Sequence, residues 1–295
     1  MIKLLKEIKR KVLAKSRVYR YSRHLAKIRR EILAYYREHP SEDSEIKEAL
    51  AYLQEHRLGT YFGRFREKYH PSETEVRTDA SNGLPYVATP WGNLYFKRSQ
   101  NIATIRLLYN GLITEQDPES PHCYTDERFF VSENDILADV GCAEGLFSLM
   151  NIGLLKKVYL FEQDKEWIEA LEATFAPWKE KVVIIPRYVS DVSTENEVDL
   201  DTFFENAADK PNFFKIDVEG AEQRVLDGMK GFFPSRDIKI ALCTYHKQGD
   251  FERFSAFFEK NNFSHYPNKG LMVFVNSFSD IDPPYFRKGL IKAFK

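Results

Sequence analysis

From residue 135 onward, short apolar runs alternate with amphipathic segments, and this alternation restricts the chain to a small set of folds. The runs are Ile136–Asp139, Val158–Phe161, Val182–Ile185, Phe213–Asp217 and Ile238–Thr244, and most lead into residues at helical spacing. That pattern predicts a parallel sheet covered by helices on both faces. In such a sheet, ligands bind beyond the carboxyl ends of the strands. The first strand leads there into Asp139-Val-Gly141-Cys-Ala-Glu-Gly145. Its two glycines suit a turn with unusual dihedrals or a close backbone approach. Glu162, at the tip of the second strand, is placed to accept hydrogen bonds from ribose hydroxyls. The sequence therefore points to a nucleoside-containing cofactor. The Gly-x-Gly-x-x-Gly of dinucleotide-binding sheets is absent.

The last apolar segments, Phe263–Tyr266 and Leu271–Val275, are joined by Asn268-Lys-Gly270, which suits a hairpin. The expected fold is α/β, a Rossmann-like doubly wound, mostly parallel seven-stranded sheet with an antiparallel last strand. A helical and β-hairpin extension precedes it. The expected divisions are a basic N-terminal helical extension (1–75), a β-meander and helix (76–130) and the catalytic domain (131–295).

Within the extension, residues 2–38 contain neither Gly nor Pro and read as one helix. Leu4, Leu5, Ile8, Val12 and Leu13 fall on one face of it, and Glu7 is the only acid between Lys3 and Arg30. The bland reading, an arm packed on its own domain or on a dimer mate, outweighs a helix lying on an anionic membrane face. Contact with an acidic partner or nucleic acid ranks last, and no nucleic-acid partner is expected. Ser41-Glu-Asp-Ser-Glu starts a second helix, with Gly59 suited to its C-terminal cap. Asn82-Gly83 and Pro90-Trp-Gly-Asn mark the turns of the meander. A helix carrying Ile102, Ile105, Leu108 and Leu112 follows. The net charge of −1 names no partner. Three separated cysteines suggest neither disulfides nor a zinc site and fit a reducing compartment. With no long apolar run and no signal-peptide pattern, the protein is expected in the cytoplasm, where the basic helix could bring it to the inner membrane face.

Strand four ends in Phe214-Lys-Ile-Asp217-Val-Glu219-Gly-Ala-Glu222, three acids at the edge where Asp139 and Glu162 also lie. Asp217 and Glu219 are candidates for function, whereas Glu222 near a helix start is also what the helix dipole favours. His246 follows strand five at the same edge, and His122 and Tyr124 lie in a turn-rich loop before strand one.

An acid two residues before the first glycine resembles motif I of the S-adenosylmethionine (SAM) methyltransferases, with Ala143 where a middle glycine is common. The antiparallel closing strand resembles the same class. Lys215-Ile-Asp-Val-Glu-Gly-Ala-Glu222, preceded by Leu200-Asp-Thr-Phe, resembles the FkbM-type methyltransferases over roughly residues 130–275. Ser120-Pro-His-Cys-Tyr124, Cys243-Thr-Tyr-His246 and Pro284-Tyr-Phe-Arg-Lys-Gly resemble a subgroup of that family. The resemblance implies SAM as cofactor and transfer most often to oxygen. Asp139, Gly141, Cys142 and Gly145 would line the methionine and ribose side. Glu162 would hold the ribose, and Ser190 and Asp191 would meet the adenine. Gln163 and Asp217 would be further cofactor contacts, Gln163 standing where the family often has proline, and Trp167 is a candidate apolar wall.

SAM arrives with its methyl group activated, so such an enzyme must mainly align the acceptor. A hydroxyl acceptor also needs a base, for which His246, Asp217 and Glu219 are the candidates. Carboxylates such as Asp217 can take a divalent ion, but no metal site is expected. The expected partner is a hydroxylated small molecule, a glycan or a lipid-linked intermediate, and homo-oligomers are compatible with the chain. The competing classes are a non-catalytic nucleoside-binding module on the same fold and, less favoured, an NAD-dependent oxidoreductase.

Overall fold

The computed structural model describes residues 2–275 and 281–295, with the side chains of 2–19 left aside. The chain forms two compact units, one of residues 1–63 and 270–287, the other of 64–269 and 288–295.

In the first unit, α1 (Ile2–Glu38) and α2 (Ser44–Glu55) pack through an apolar core. Ile28, Ile32 and Tyr36 meet Ala49 and Leu53 there. The α2 N-cap is Asp43, whose carboxylate accepts from the backbone N–H of Glu45 and Ile46. The helix ends at Glu55, before the expected Gly59, because the Arg29 side chain donates to the carbonyls of Leu53, Gln54 and His56 and satisfies its last turn. The face of Leu4, Leu5, Ile8, Val12 and Leu13 lies outside the described side chains.

The second unit begins with short 3₁₀ turns and a three-stranded antiparallel sheet of β1 (Arg77–Thr78), β2 (Pro85–Thr89) and β3 (Gly92–Tyr95). Helix α3 (Ile102–Glu115) follows, N-capped by Asn101. Then come β4 (Ile136–Val140), α4 (Leu146–Asn151), β5 (Lys157–Phe161), α5 (Lys165–Phe175) and β6 (Val182–Ile185). A small parallel pair, β7 (Tyr188–Val189) and β8 (Glu197–Val198), precedes α6 (Leu200–Phe203). The chain continues through β9 (Phe213–Ile216), α7 (Glu222–Asp227), β10 (Lys239–Cys243), α8 (Asp250–Lys260), β11 (Ser264–Pro267) and β12 (Leu290–Phe294).

Seven of these strands make one sheet in the order β11-β12-β10-β9-β4-β5-β6. β10, β9, β4, β5 and β6 pair in parallel, and β12 runs antiparallel to both of its neighbours. The central strands β4 and β9 are buried almost throughout, as a sheet covered on both faces requires. One core cluster joins Val140, Phe161, Phe214 and Ile240 of the sheet to Leu226, Phe254 and Phe258 of the helices.

The antiparallel strand is not the one the hairpin pattern suggested. Leu271, Val273 and Val275 belong to the core of the first unit, and Met272 between them is buried as well, so the apolar run is covered without joining a sheet. Met272 makes only isolated bridges, to Tyr61 and Arg287. The antiparallel strand is Leu290–Phe294, disguised in the sequence by Lys292. That lysine is 1% exposed, and its Nζ lies 2.8 Å from an Asp126 oxygen, which makes burial of the charge tolerable. Among the described residues, no helix is long and apolar enough to cross a membrane.

Candidate active site

The loop after β4 approaches β9 closely. Gly141 has φ +72°, and a Cβ there would stand 2.1 Å from the backbone oxygen of Asp217. Gly145, also left-handed, abuts Leu171 and Phe175 of α5. Both glycines are therefore required by packing within the protein, whatever ligand binds beside them. Cys142 is buried, and burial pushes its thiol up, so it contributes to the loop through its backbone. Its N–H, like that of Gly141, donates to the Phe161 carbonyl.

Under the loop lies an ion pair that the acid-before-glycine pattern did not foretell. Asp139 is buried, 3.1 Å from Lys215 Nζ, and accepts from Ser148 Oγ at 2.7 Å. Lys215 also donates to the Gly141 carbonyl at 2.6 Å. Burial alone would lower the Lys215 pKa, but the carboxylates of Asp139 and Asp217 raise it above its ordinary value. Asp139 is thus committed to holding the loop against β9. A lysine in the apolar run Phe-Phe-Lys-Ile was the available signal, since a buried charge needs a partner.

Two hollows open on either side of the loop and share Gly141, Ala143 and Asp217. The larger, of 710 Å³, is lined by Glu162, Gln163, Trp167, Arg187, Tyr188, Val189, Glu219 and Arg224 among others. Glu162 sits at the β5 tip as expected for its strand position, and its carboxylate accepts from the N–H of Ala143 (3.1 Å) and Asp164 (2.7 Å). Trp167 is at the cleft wall, with Lys97 Nζ 4.7 Å from its ring centre. Ser190 turns inward: it is 1% exposed, and its carbonyl abuts Gly228. Asp191 bonds to Arg224 Nε at 2.8 Å and so meets the cleft only through that arginine. Arg187 and Tyr188 instead border the part of the cleft where Ser190 and Asp191 were expected.

The smaller hollow, of 110 Å³, is lined by Glu115, Tyr124, Asp139, Glu144, Lys215 and Asp217 with several apolar groups. Glu144 was not singled out by sequence. Burial raises its carboxyl to about 7, against the opposing pull of backbone hydrogen bonds and Lys215.

Asp217 is the point of convergence. Tyr124 Oη donates to one of its oxygens at 3.0 Å and Tyr245 Oη to the other at 3.1 Å. His122 Nε2 stands 3.8 Å from the first oxygen and His246 Nε2 3.5 Å from the second. The segments Ser120–Tyr124 and Cys243–His246 thus meet over the β9 tip. Burial would raise the Asp217 pKa, but Lys215, the two histidines and Tyr124 bring it down to about 2. Such a carboxylate orients donors and is too weak a base to take a proton at neutral pH. His122 is driven by burial to about 4 and is neutral in the working range.

His246 differs from His122. Its Nδ1 lies 2.9 Å from Glu222, which is wholly buried and also accepts from the N–H of Val218 and Gly220. Its Nε2 faces Asp217 and, at 3.5 Å, Glu219. Burial would lower its pKa, but Glu222, Asp217 and Glu219 raise it above 6.5. Glu219 itself is largely exposed and sits at φ 52°, a sparsely populated conformation for a residue with a side chain. Glu222, which sequence left mostly to the helix dipole, is therefore the partner of His246.

The trios His122–Asp217–Cys243 and Asp217–Glu222–His246 each bring donor atoms within 4.8 Å, close enough to ligate a cation. Asp217 already faces the Lys215 ammonium, and burial holds the Cys243 thiol up. The set is better matched to hydrogen bonding than to a metal.

No curated protein matches the chain. Among solved structures, an FkbM methyltransferase from Methylobacillus flagellatus is 16% identical with a TM-score of 0.45, over 65% of this chain and 54% of its own. The chain thus spans about half of that relative. A precorrin-6y C5,15-methyltransferase from Geobacter metallireducens is 11% identical (TM-score 0.38), over 57% of this chain and 84% of its own. A protein from Streptococcus mutans, described as a methyltransferase and solved with S-adenosylhomocysteine, is 15% identical (TM-score 0.34), over 55% and 90%. The family model for the methyltransferase FkbM domain matches residues 115–273, more than half of the chain, a span that holds both histidine segments, the β4 loop and the β9 acids; the chain belongs to the FkbM-domain methyltransferase family.

Proposed function

We propose that the protein is a SAM-dependent O-methyltransferase whose base is His246. The carrying observation is the Glu222–His246 pair beside Asp217, at the sheet edge that also presents Glu162. The residues fit the cofactor. Glu162 offers a carboxylate to ribose hydroxyls at the tip of β5, and Trp167 and Val189 give the 710 Å³ cleft apolar wall for a base. When bound, SAM supplies an activated methyl group on a sulfonium.

The protein's own part is alignment and one proton transfer. Asp217, fixed by Tyr124 and Tyr245, accepts a hydrogen bond from the incoming acceptor or its neighbouring hydroxyl and holds it in line. Glu222, 2.9 Å from His246 Nδ1, is placed to hold the proton on that nitrogen, which leaves Nε2 as the atom that takes the acceptor proton. His122 and Tyr124 form a neutral, buried wall that keeps water from the reacting centre. A prepared base favours a hydroxyl acceptor over an amine, which attacks without one. The acceptor class, a hydroxyl of a sugar, glycan or lipid-linked intermediate, follows the family resemblance.

Calorimetric titration with SAM, S-adenosylhomocysteine and NAD tests the reading, with Glu162→Ala alongside. The expected result is binding of both sulfur nucleosides, no binding of NAD, and loss of binding in the variant. NAD binding, or no sulfur-nucleoside binding at all, would refute it and favour the oxidoreductase or the non-catalytic module.

A further inference from the structure

One buried acid at the site has no part in the proton transfer above. Glu144 lies between Ala143 and Gly145 at the start of α4, 7% exposed, and lines the 110 Å³ hollow. The other ionisable groups around that hollow are Glu115 from α3, Tyr124 from the loop before β4, Asp139 from β4, Cys142 from the loop after it, whose thiol burial pushes up, and Lys215 and Asp217 from β9 and its tip. Among these, Lys215 is the one cation, and its ammonium is engaged by Asp139 and the Gly141 carbonyl. Glu144 forms no ion pair among the described residues; its carboxylate is held by its own N–H and that of Leu146. The hollow thus carries an excess of acid and has room for a handful of non-hydrogen atoms. It adjoins the nucleoside cleft at Gly141, Ala143 and Asp217. The complement of such a hollow is a compact cation attached to a nucleoside.

We propose that Glu144 is the anionic anchor for the α-ammonium group at the amino-acid end of the bound sulfur nucleoside. The inference rests on the SAM reading of the larger cleft and assigns one residue of the hollow that adjoins it. An ammonium beside Glu144 favours the ionised carboxyl. With its carboxyl at about 7, Glu144 is part protonated near neutral pH, so ligand binding transfers that proton from the carboxyl to the buffer. The anchor also selects for an intact amino-acid end, since a nucleoside without one leaves the acid unpaired but protonated.

The test is calorimetry with two ligands, S-adenosylhomocysteine and 5′-methylthioadenosine, which keeps the adenosine and sulfur but lacks the amino-acid end. Each is titrated at pH 7 in phosphate and in Tris, whose ionisation enthalpies differ. For the wild type, the homocysteine ligand should release protons, and Glu144→Gln should abolish the release and weaken binding by roughly 10- to 100-fold, the worth of one charge-assisted bond. Methylthioadenosine affinity should be unchanged in the variant, which also reports that the variant is folded. Equal affinity of wild type and Glu144→Gln for S-adenosylhomocysteine, or parallel loss of both ligands, overturns the anchor. Failure of the wild type to bind either ligand overturns the cofactor reading itself, a distinguishable result.

Discussion

The closest approach in the site gives the sharpest test. Replacing Gly141 by Ala places a Cβ 2.1 Å from the Asp217 carbonyl oxygen and 3.1 Å from its carbon. The atom struck is backbone, so no rotamer change relieves it, and loop and strand tip must part by about 1 Å to restore an ordinary contact. A side chain at φ +72° adds roughly 1–2 kcal/mol, and overpacking typically costs about 1–3 kcal/mol. The sum is about 2–5 kcal/mol. For a unit of this size each kcal/mol lowers Tm by about 2–4 °C, so a drop of roughly 4–20 °C is expected. The same displacement moves Asp217 relative to the β4 loop, and a misplacement of about 1 Å can cost on the order of 100-fold in turnover. Thermal unfolding followed by circular dichroism and methyl transfer from labelled SAM measure both effects. Gly111→Ala is the control, because a Cβ there meets nothing within 4 Å in mid-helix. It should stabilise by about 0.5–1 kcal/mol. If Gly141→Ala melts within a degree or two of the wild type and turns over normally, the claim that this contact registers the site is wrong.

Other outcomes follow from the charges around Asp217. The rate should fall as pH drops through a midpoint above 6.5, because His246 must be unprotonated to accept a proton and its pKa is raised. Glu222→Gln should move that midpoint to lower pH while leaving cofactor affinity intact; an unmoved profile would remove His246 from the mechanism. Asp217, held at about 2 against an ordinary 3.8, contributes stability that is complete above 3.8 and is lost as pH falls toward 2. Asp217→Asn should flatten the stability curve across that acid window, as denaturant titrations at several pH values would record. Lys215→Met leaves Asp139 buried without its cation and should cost about 3–5 kcal/mol, read from the denaturant midpoint.

The sheet was legible because its central strands are uninterrupted apolar runs, each ending at a loop whose glycines or acids mark the carboxyl edge. What periodicity could not show is which buried charges are paired. Lys292 hid a strand and Lys215 was passed over, since the acids that neutralise them lie far away in sequence. Leu271–Val275 misled for the converse reason, as an apolar run records burial and does not name the surface that covers it. Strand position put the acids at the carboxyl edge, whereas their electrostatic surroundings depend on partners distant in sequence: Lys215, the two histidines and Tyr124 hold Asp217 acidic, and Glu222 lies beside His246.

The position of β12 has a consequence for the order of assembly. Residues 290–294 fill the gap between β10 and β11, strands made long before them. Until those residues leave the ribosome, β10 presents an open edge and β11 has no neighbour to pair with. The segment carrying His246 follows β10 directly, and Thr244 is tied to the carbonyl of Lys288 and, through its N–H, to that of Gly289. His246, the proposed base, is therefore seated only once these residues are in place. A nascent chain can form the cleft beside β4, β5 and β6 before the His246 segment is fixed against it.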